Sequence, residues 1–132
     1  MIAGPNGAAE CHRLFVYGML RRGFELHHHL ARLGARFQSK AKVAARLIDR
    51  GRYPGARPSS RKGNWVRGEL FELRRPTHDL RILDKVEGCI AGAPERSEFV
   101  RALAEVILNN GSRRSAWIYW RGAGRSTGDS HG

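Results

Sequence analysis

The sequence predicts an α+β fold, a small mixed β-sheet or barrel of about five strands with two short helices. Its length of 132 residues fits one domain with a core of its own. Strand-like and helical patterns alternate in the order strand, helix, strand, strand, helix, strand, strand. Two cysteines are too few for a disulfide framework, so packing must stabilise the fold. We expect the domain at residues 13–121 and flexible tails at 1–12 and 122–132, where small and polar residues dominate.

The first strand begins at Arg13 and runs through the apolar stretch Leu14–Tyr17. A strand that is apolar on both faces is typical of the centre of a sheet or the wall of a small barrel. It breaks at Gly18. The leucines of GFELHHHLARLG then recur at helical spacing, and Gly34 can end that helix.

Four further strands follow, three of them indicated by alternating patterns and the last by the turn before it. AKVAARLIDRGRYPGARPSS starts as a strand, with three apolar residues on one face, and then becomes a long loop. The residues concerned are Val43, Ala45 and Leu47 on the face, and Gly51, Pro54, Gly55 and Pro58 in the loop. WVRGELFEL alternates as the next strand, and EFVRALAEVIL as the one after the second helix. SAWIYW follows the turn NNGS, which predicts a final hairpin.

PTHDLRILDKVEG predicts the second helix, with Thr77 as its N-cap and Gly88 as a left-handed C-cap. Leu80 and Leu83 form its apolar stripe. Asp84 lies to the side of that stripe, where we expect a cap or a salt-bridge partner. A second role for Asp84 is to orient a group near the end of the helix.

Glu87 is a carboxylate on the wrong face of this helix. It lies seven residues after Leu80 and four after Leu83, so helical geometry places it on or beside the apolar stripe. Burial and the negative end of the helix dipole both raise the pKa of a carboxyl group in this position. A general base that works near neutral pH needs such a pKa. The alternative is a solvated carboxylate paired with an arginine.

The charge is strongly basic, with 24 Lys and Arg against 12 Asp and Glu, for a net charge of +12. Such an excess attracts nucleic acids or anionic substrates. Because the cations are scattered and aromatic residues do not alternate with them, we favour a solvated basic surface over nucleic-acid binding. No secretion signal and no long apolar run are present, so we expect a cytoplasmic protein that does not enter the membrane.

Three other features have two interpretations each. His27–His29 suggest a metal site, but consecutive helical residues point in different directions, so we favour a polar helix surface and expect no metal. Cys89 is either a nucleophile or, as we favour, a half-buried thiol. Residues Tyr53, Pro54 and Gly55 either edge a pocket or form a turn.

LFVYGMLRRG resembles the Y-G-x-L-R-x-G signature of the γ-glutamylcyclotransferase-like, or AIG2-like, family. The resemblance continues, in the family's order and over about residues 13–121, through RYPGARP, VRGELFEL, LDKVEG, FVRALAEV and WIYW. It implies a cofactor-free enzyme on a small mixed barrel. In the family's reaction, the free α-amine of a γ-glutamyl group attacks its own γ-carbonyl and expels an amine or amino acid, which leaves 5-oxoproline.

The resemblance also implies roles for individual residues. The family's catalytic glutamate falls on Glu87, which would act as the general acid/base. Backbone donors for the substrate fall on Tyr17, Gly18, Met19 and Leu20. The expected partner is therefore a small γ-glutamyl substrate, whereas the sequence does not define the leaving amine or the oligomeric state.

Three positions depart from the family pattern. Met19 stands where many relatives have a small polar residue, and Cys89 and Phe99 stand where relatives often have tyrosine. Phe99 occupies a substrate-binding position, so the lost phenol changes either substrate recognition or the reaction. The alternative function is a non-catalytic module that binds a small acidic ligand or a protein partner on the same fold.

Overall fold

A computed structural model describes residues 11–18, 20–48 and 55–124. The elements are β1 (Arg13–Val16), α1 (His27–Arg32), β2 (Arg36–Ile48), β3 (Gly55–Pro58), β4 (Trp65–Glu72), α2 (Pro76–Val86), a 3-10 turn (Pro94–Arg96), β5 (Phe99–Leu108) and β6 (Arg113–Arg121). The positions predicted as tails at 1–10 and 125–132, together with Met19, Tyr53 and Pro54, lie outside the described residues. Residues 122–124 are described, and the Gly122 amide donates a hydrogen bond to the Glu98 carbonyl at 2.7 Å.

Five strands close into a barrel. Their order is β2, β4, β1, β6 and β5, and β5 pairs back with β2. The pair β1 and β6 is parallel, and the other barrel pairs are antiparallel, so the sheet is mixed. β3 adds a sixth strand along the end of β2. The predicted α+β class with a small mixed barrel and two helices is confirmed.

The prediction of a loop at Gly55–Pro58 was wrong, because these residues form β3. β3 is an edge strand, where a proline such as Pro58 costs no hydrogen bond on the open side. Leu47 was predicted on one face with Val43 and Ala45, but those two residues are buried whereas Leu47 is 58% exposed. It lies beyond the short stretch of β2, residues 41–43, at which β5 closes the barrel, so little covers it.

The core has two layers, which explains why β1 is apolar on both faces. Phe15 points into the barrel, whereas Leu14 and Val16 point outward beneath the helices. The barrel interior is filled by the apolar side chains Ala41, Val43, Ala45, Ala56, Val66, Leu70, Val106, Ala116 and Ile118. The outer layer includes Leu30 from α1 and Leu80 and Leu83 from α2. Both helices are therefore held against the outside of the barrel by their apolar stripes.

The start of α2 differs from the prediction. Arg75 is the N-cap, and Pro76 occupies the first helical position, where a fixed φ and a missing N–H are tolerated. Thr77 is therefore inside the helix and makes no capping bond. The buried Asp79 carboxylate accepts the Arg75 amide hydrogen bond at 3.0 Å instead. Gly88, with φ of +66°, ends the helix as predicted.

The helices of the described residues are short, with six residues in α1 and eleven in α2. A helix that crosses a bilayer needs about 20 apolar residues. Within residues 11–18, 20–48 and 55–124, none reaches the length and apolarity of a membrane span.

Candidate active site

Glu87 is the C-cap residue of α2. Its amide still donates to the Leu83 carbonyl at 2.9 Å, so it continues the helical path for one residue beyond Val86. Gly88 then adopts a left-handed conformation that turns the chain away. The side chain of Glu87 is left half-buried beside the outer apolar layer, as the helical spacing predicts.

Burial raises the pKa of Glu87 to about 8, and the negative charge of Glu98 contributes in the same direction. Among the described residues, no hydrogen bond or nearby cation lowers the pKa of Glu87. The sequence predicts the direction from burial and the helix dipole, whereas the structure identifies burial and a second carboxylate as the causes. Glu87 can therefore both accept and release a proton near neutral pH.

Glu98 is attached to the end of α2 through the backbone. Its amide donates to the Gly88 carbonyl at 3.0 Å, immediately after Glu87. Its Oε2 lies 3.7 Å from Arg121 Nη1, which also donates to the Glu98 carbonyl at 3.1 Å. Arg121 is buried, so a cation and a second carboxylate sit beside the helix end that presents Glu87.

The Tyr17 side chain links three strands. Its hydroxyl donates to the Tyr119 carbonyl at 2.6 Å and accepts from the Ala56 amide at 3.0 Å, which ties the end of β1 to β6 and β3. Burial raises the pKa of Tyr17 well above its usual value, and the charge of Glu87 adds to that rise. Burial and then the hydrogen bond to Asp84 raise the pKa of Tyr119, with a smaller effect of Glu87. The Glu87 carboxylate therefore lies near enough for its charge to act on both tyrosine hydroxyls.

The chain turns directly after Tyr17. The Gly18 carbonyl accepts hydrogen bonds from the Arg21 amide at 3.1 Å and from Arg21 Nε at 3.2 Å, which confirms the predicted break at Gly18. Leu20 anchors the turn, because its side chain is buried in the outer apolar layer. Among the described residues, no acceptor pairs with the amide N–H of Gly18 or of Leu20. Met19, between these two amides, lies outside the description.

Phe99 is packed rather than open. It is buried, and its ring centroid lies 5.6 Å from the Arg121 guanidinium carbon. Gly55 packs closely against both side chains, since a Cβ at this position would lie 2.7 Å from Arg121 and 3.1 Å from Phe99. A larger residue at position 55 would therefore push apart the start of β3 and these two side chains.

A polar cluster next to the site involves Asp84, for which the predicted salt bridge is confirmed. Arg101 donates to both carboxylate oxygens, and the Tyr119 hydroxyl donates to one of them. Arg101 also lies over the Trp117 ring at 4.6 Å. These partners were not predicted, because nothing local in the sequence marks them.

Cys89 is half-buried, and its amide donates to the Asp84 carbonyl at 2.8 Å. His27 Nδ1 lies 3.0 Å from the Leu20 carbonyl oxygen, and His28 Nδ1 lies 3.1 Å from the Glu25 carbonyl oxygen. In the part of the chain that the structure describes, no three His, Cys, Asp or Glu side chains converge to hold a metal ion.

Comparison with known proteins places this arrangement in a family. Residues 14–131 match the family described as gamma-glutamyl cyclotransferase, AIG2-like. The chain is 32% identical over 107 residues to the gamma-L-glutamyl-butirosin B gamma-glutamyl cyclotransferase of Niallia circulans. That match covers 80% of this chain and 64% of the relative, so the chain spans less than two thirds of the relative's length.

Two solved structures share the fold. An AIG2-like protein from Mus musculus superposes with a TM-score of 0.68 at 23% identity, over 88% of this chain and 80% of that one. YkqA from Bacillus subtilis superposes with a TM-score of 0.64 at 23% identity, over 83% of this chain and 35% of that one. The match to the family along most of the sequence, on this barrel, shows that the chain belongs to the gamma-glutamyl cyclotransferase, AIG2-like family.

Proposed function

We propose that this protein is a γ-glutamyl cyclotransferase that converts a γ-glutamyl amide into 5-oxoproline and releases an amine or amino acid, without a cofactor. The observation that carries the proposal is the position of Glu87, half-buried at the end of α2 with a pKa raised to about 8 by burial. Family membership and the activity named for the Niallia circulans relative support the reaction type.

The substrate supplies its own nucleophile in this reaction. The α-amine of the γ-glutamyl group lies at five-membered-ring distance from the γ-carbonyl, so attack is intramolecular and needs no covalent enzyme intermediate. Glu87 as carboxylate takes a proton from the α-ammonium while the new C–N bond forms. It then delivers that proton to the leaving nitrogen while the original amide C–N bond breaks. The ring nitrogen then loses its second proton to the Glu87 carboxylate, which passes it to the released amine. 5-Oxoproline therefore forms with one N–H, the amine leaves as an ammonium, and Glu87 returns to its starting carboxylate.

The raised pKa of Glu87 suits both steps. A carboxylate with an ordinary pKa is too weak a base to take a proton from an ammonium group. Such a group is also almost fully ionised at neutral pH, so it holds no proton to donate to the leaving nitrogen. A pKa of about 8 is closer both to the pKa of the attacking α-amine and to that of the leaving amine. Burial therefore gives Glu87 a pKa that suits both proton transfers, whereas a solvated carboxylate would keep an ordinary pKa.

The turn at Gly18–Leu20 supplies the donors in this proposal. The Gly18 and Leu20 amides, which no described residue uses, would bind the substrate α-carboxylate or the oxyanion that develops on the γ-carbonyl. Tyr17 would position this turn rather than donate to the substrate, because its hydroxyl proton already goes to the Tyr119 carbonyl. Backbone donors do not depend on the side chain at position 19, so methionine there is compatible with the proposal.

A second candidate function is a binding module without turnover, and Phe99 is the observation that favours it. Phe99 brings no hydroxyl to the site and is packed between Gly55 and Arg121. The two functions are separated by assaying 5-oxoproline release from γ-glutamyl dipeptides, γ-glutamyl amines and ε-(γ-glutamyl)lysine. Release by the wild type that is lost in Glu87→Gln supports the enzyme, whereas binding of these compounds with no release supports the module.

A further inference from the structure

A groove of about 530 Å³ lies apart from Glu87, on strands β2, β4 and β5 and beneath the turn that follows β1. None of its lining residues belongs to α2 or β6. Four of them are cationic: Arg21, Lys40, Lys42 and Arg67.

The acidic residue that lines this groove is already paired. Glu69 Oε1 accepts the Arg22 amide at 2.9 Å, and its Oε2 accepts Arg22 Nε at 3.3 Å. Within the described residues, none of the four groove cations forms a salt bridge. The groove therefore keeps a surplus of positive charge inside a concave surface, where field lines concentrate.

The strand register places two of these cationic residues directly opposite one another. Lys42 and Arg67 are direct partners in the antiparallel pairing of β2 with β4. Like charges directly opposite one another destabilise a sheet. The neighbouring cross-strand pair is Lys40 and Glu69. Because the Glu69 carboxylate is hydrogen-bonded to Arg22, it does not offset the positive charges of Lys42 and Arg67. An anion bound between these side chains would offset the repulsion.

We propose that this groove binds a compact oligophosphate with at least three negative charges. Arginine supplies forked donors that match phosphate oxygens, and lysine supplies mobile point charges, so the mixture suits phosphate groups. Among the described residues, none of those that line the groove is aromatic, so the groove offers no ring on which a base could stack. The chemistry therefore favours a phosphate chain over a single-stranded nucleic acid, which needs open aromatic faces.

The test uses inorganic triphosphate as the probe and calorimetry at about 150 mM salt, where screening removes weak surface attraction. Lys42→Gln/Arg67→Gln removes two groove charges. Arg61→Gln/Lys62→Gln is the matched control, because these exposed residues follow β3, carry the same two charges and do not line the groove. Thermal unfolding of both variants without ligand checks folding. The groove variant is expected to melt within a few degrees of the control, since relief of the repulsion offsets loss of the contact between Lys42 and the Trp65 ring.

The wild type and the control are expected to bind triphosphate with dissociation constants within about twofold, and the groove variant to bind at least about tenfold more weakly. Equal weakening in both variants would show attraction to net charge alone and would overturn the proposal. Absence of binding by the wild type would overturn it too. An oligonucleotide of about 20 nucleotides that binds more tightly than triphosphate, and loses that binding only in the groove variant, would replace the small anion by nucleic acid.

Discussion

Asp84 Oδ1 accepts two hydrogen bonds, from the Tyr119 hydroxyl at 2.6 Å and from Arg101 Nε at 2.8 Å. Arg101 Nη2 donates to the other carboxylate oxygen at 3.2 Å. Asp84 lies one helical turn before Glu87, so these bonds join the last turn of α2 to β5 and β6. They fix the point from which the Glu87 side chain leaves the helix.

Asp84→Ala is expected to lower the free energy of unfolding by about 2–3 kcal/mol. It leaves a half-buried guanidinium and a buried hydroxyl without their partner, which costs more than the bonds themselves contribute. Urea unfolding measures the loss. Glu105→Ala is the control, because it breaks an exposed ion pair with Arg113 and should cost less than about 1 kcal/mol. Equal losses in the two variants would contradict a structural role for Asp84.

Tyr17→Phe is expected to cost about 1–3 kcal/mol, because it leaves the Ala56 amide and the Tyr119 carbonyl without their hydrogen-bond partner. The loss should be local, since β3 is an edge strand held partly by this bond. Amide hydrogen exchange tests this. Ala56 should exchange faster in the variant while Val106, in the barrel interior, keeps its wild-type rate relative to global unfolding. Unchanged exchange at Ala56 would show that the bond does not hold β3.

Glu98→Gln is expected to shift the pH dependence of catalysis to lower pH. If Glu87 acts first as a base, kcat/KM rises with pH until Glu87 is ionised, near pH 8. Removing the negative charge of Glu98 lowers the pKa of Glu87, so the rising limb moves down the pH axis. Glu95→Gln, in the exposed 3-10 turn, is the control and should leave the limb in place. If the rising limb of kcat/KM in Glu98→Gln is unchanged or moves to higher pH, the charge of Glu98 does not raise the pKa of Glu87.

Glu87 should also make stability depend on pH. Its folded pKa of about 8 exceeds the value of 4.5 for an unperturbed carboxyl group, so between these pH values the folded state holds a proton that the unfolded state has lost. The free energy of unfolding then falls as pH rises, by about 1.4 kcal/mol per pH unit. Glu87→Gln lacks this slope, and subtracting its curve cancels the other titrating groups. Chemical unfolding at intervals of one pH unit measures this difference in the free energy of unfolding. If the free energies of the two proteins depend on pH in the same way, burial does not raise the pKa of Glu87.

Local patterns were enough to predict that the Glu87 side chain lies half-buried at the end of α2. Helical spacing from Leu80 and Leu83 places its carboxylate on the apolar side, and Gly88 marks the end of the helix. The family resemblance points to the same residue. The predicted position of its side chain is confirmed because Leu80, Leu83 and Gly88 all lie within about two helical turns of Glu87.

The surroundings of Glu87 could not be predicted in that way. Arg101 and Tyr119 lie 17 and 35 residues after Asp84, and only the closed barrel brings them to it. Glu98 affects Glu87 because the turn at Gly88 places its charge nearby, and the sequence shows no period that would indicate this. β3 was missed for a different reason, since glycine and proline break most strands but are tolerated at the edge of a sheet.

The most direct test of the central claim is 5-oxoproline release from a saturating γ-glutamyl substrate by the wild type and by Glu87→Gln, with substrate affinity of both measured by calorimetry. The proposal predicts release by the wild type, a fall in kcat of about 10²–10⁴-fold in the variant, and an affinity that changes by less than about threefold. A Glu87→Gln protein that keeps the wild-type rate, or a wild type that binds the panel and releases no 5-oxoproline, would contradict it.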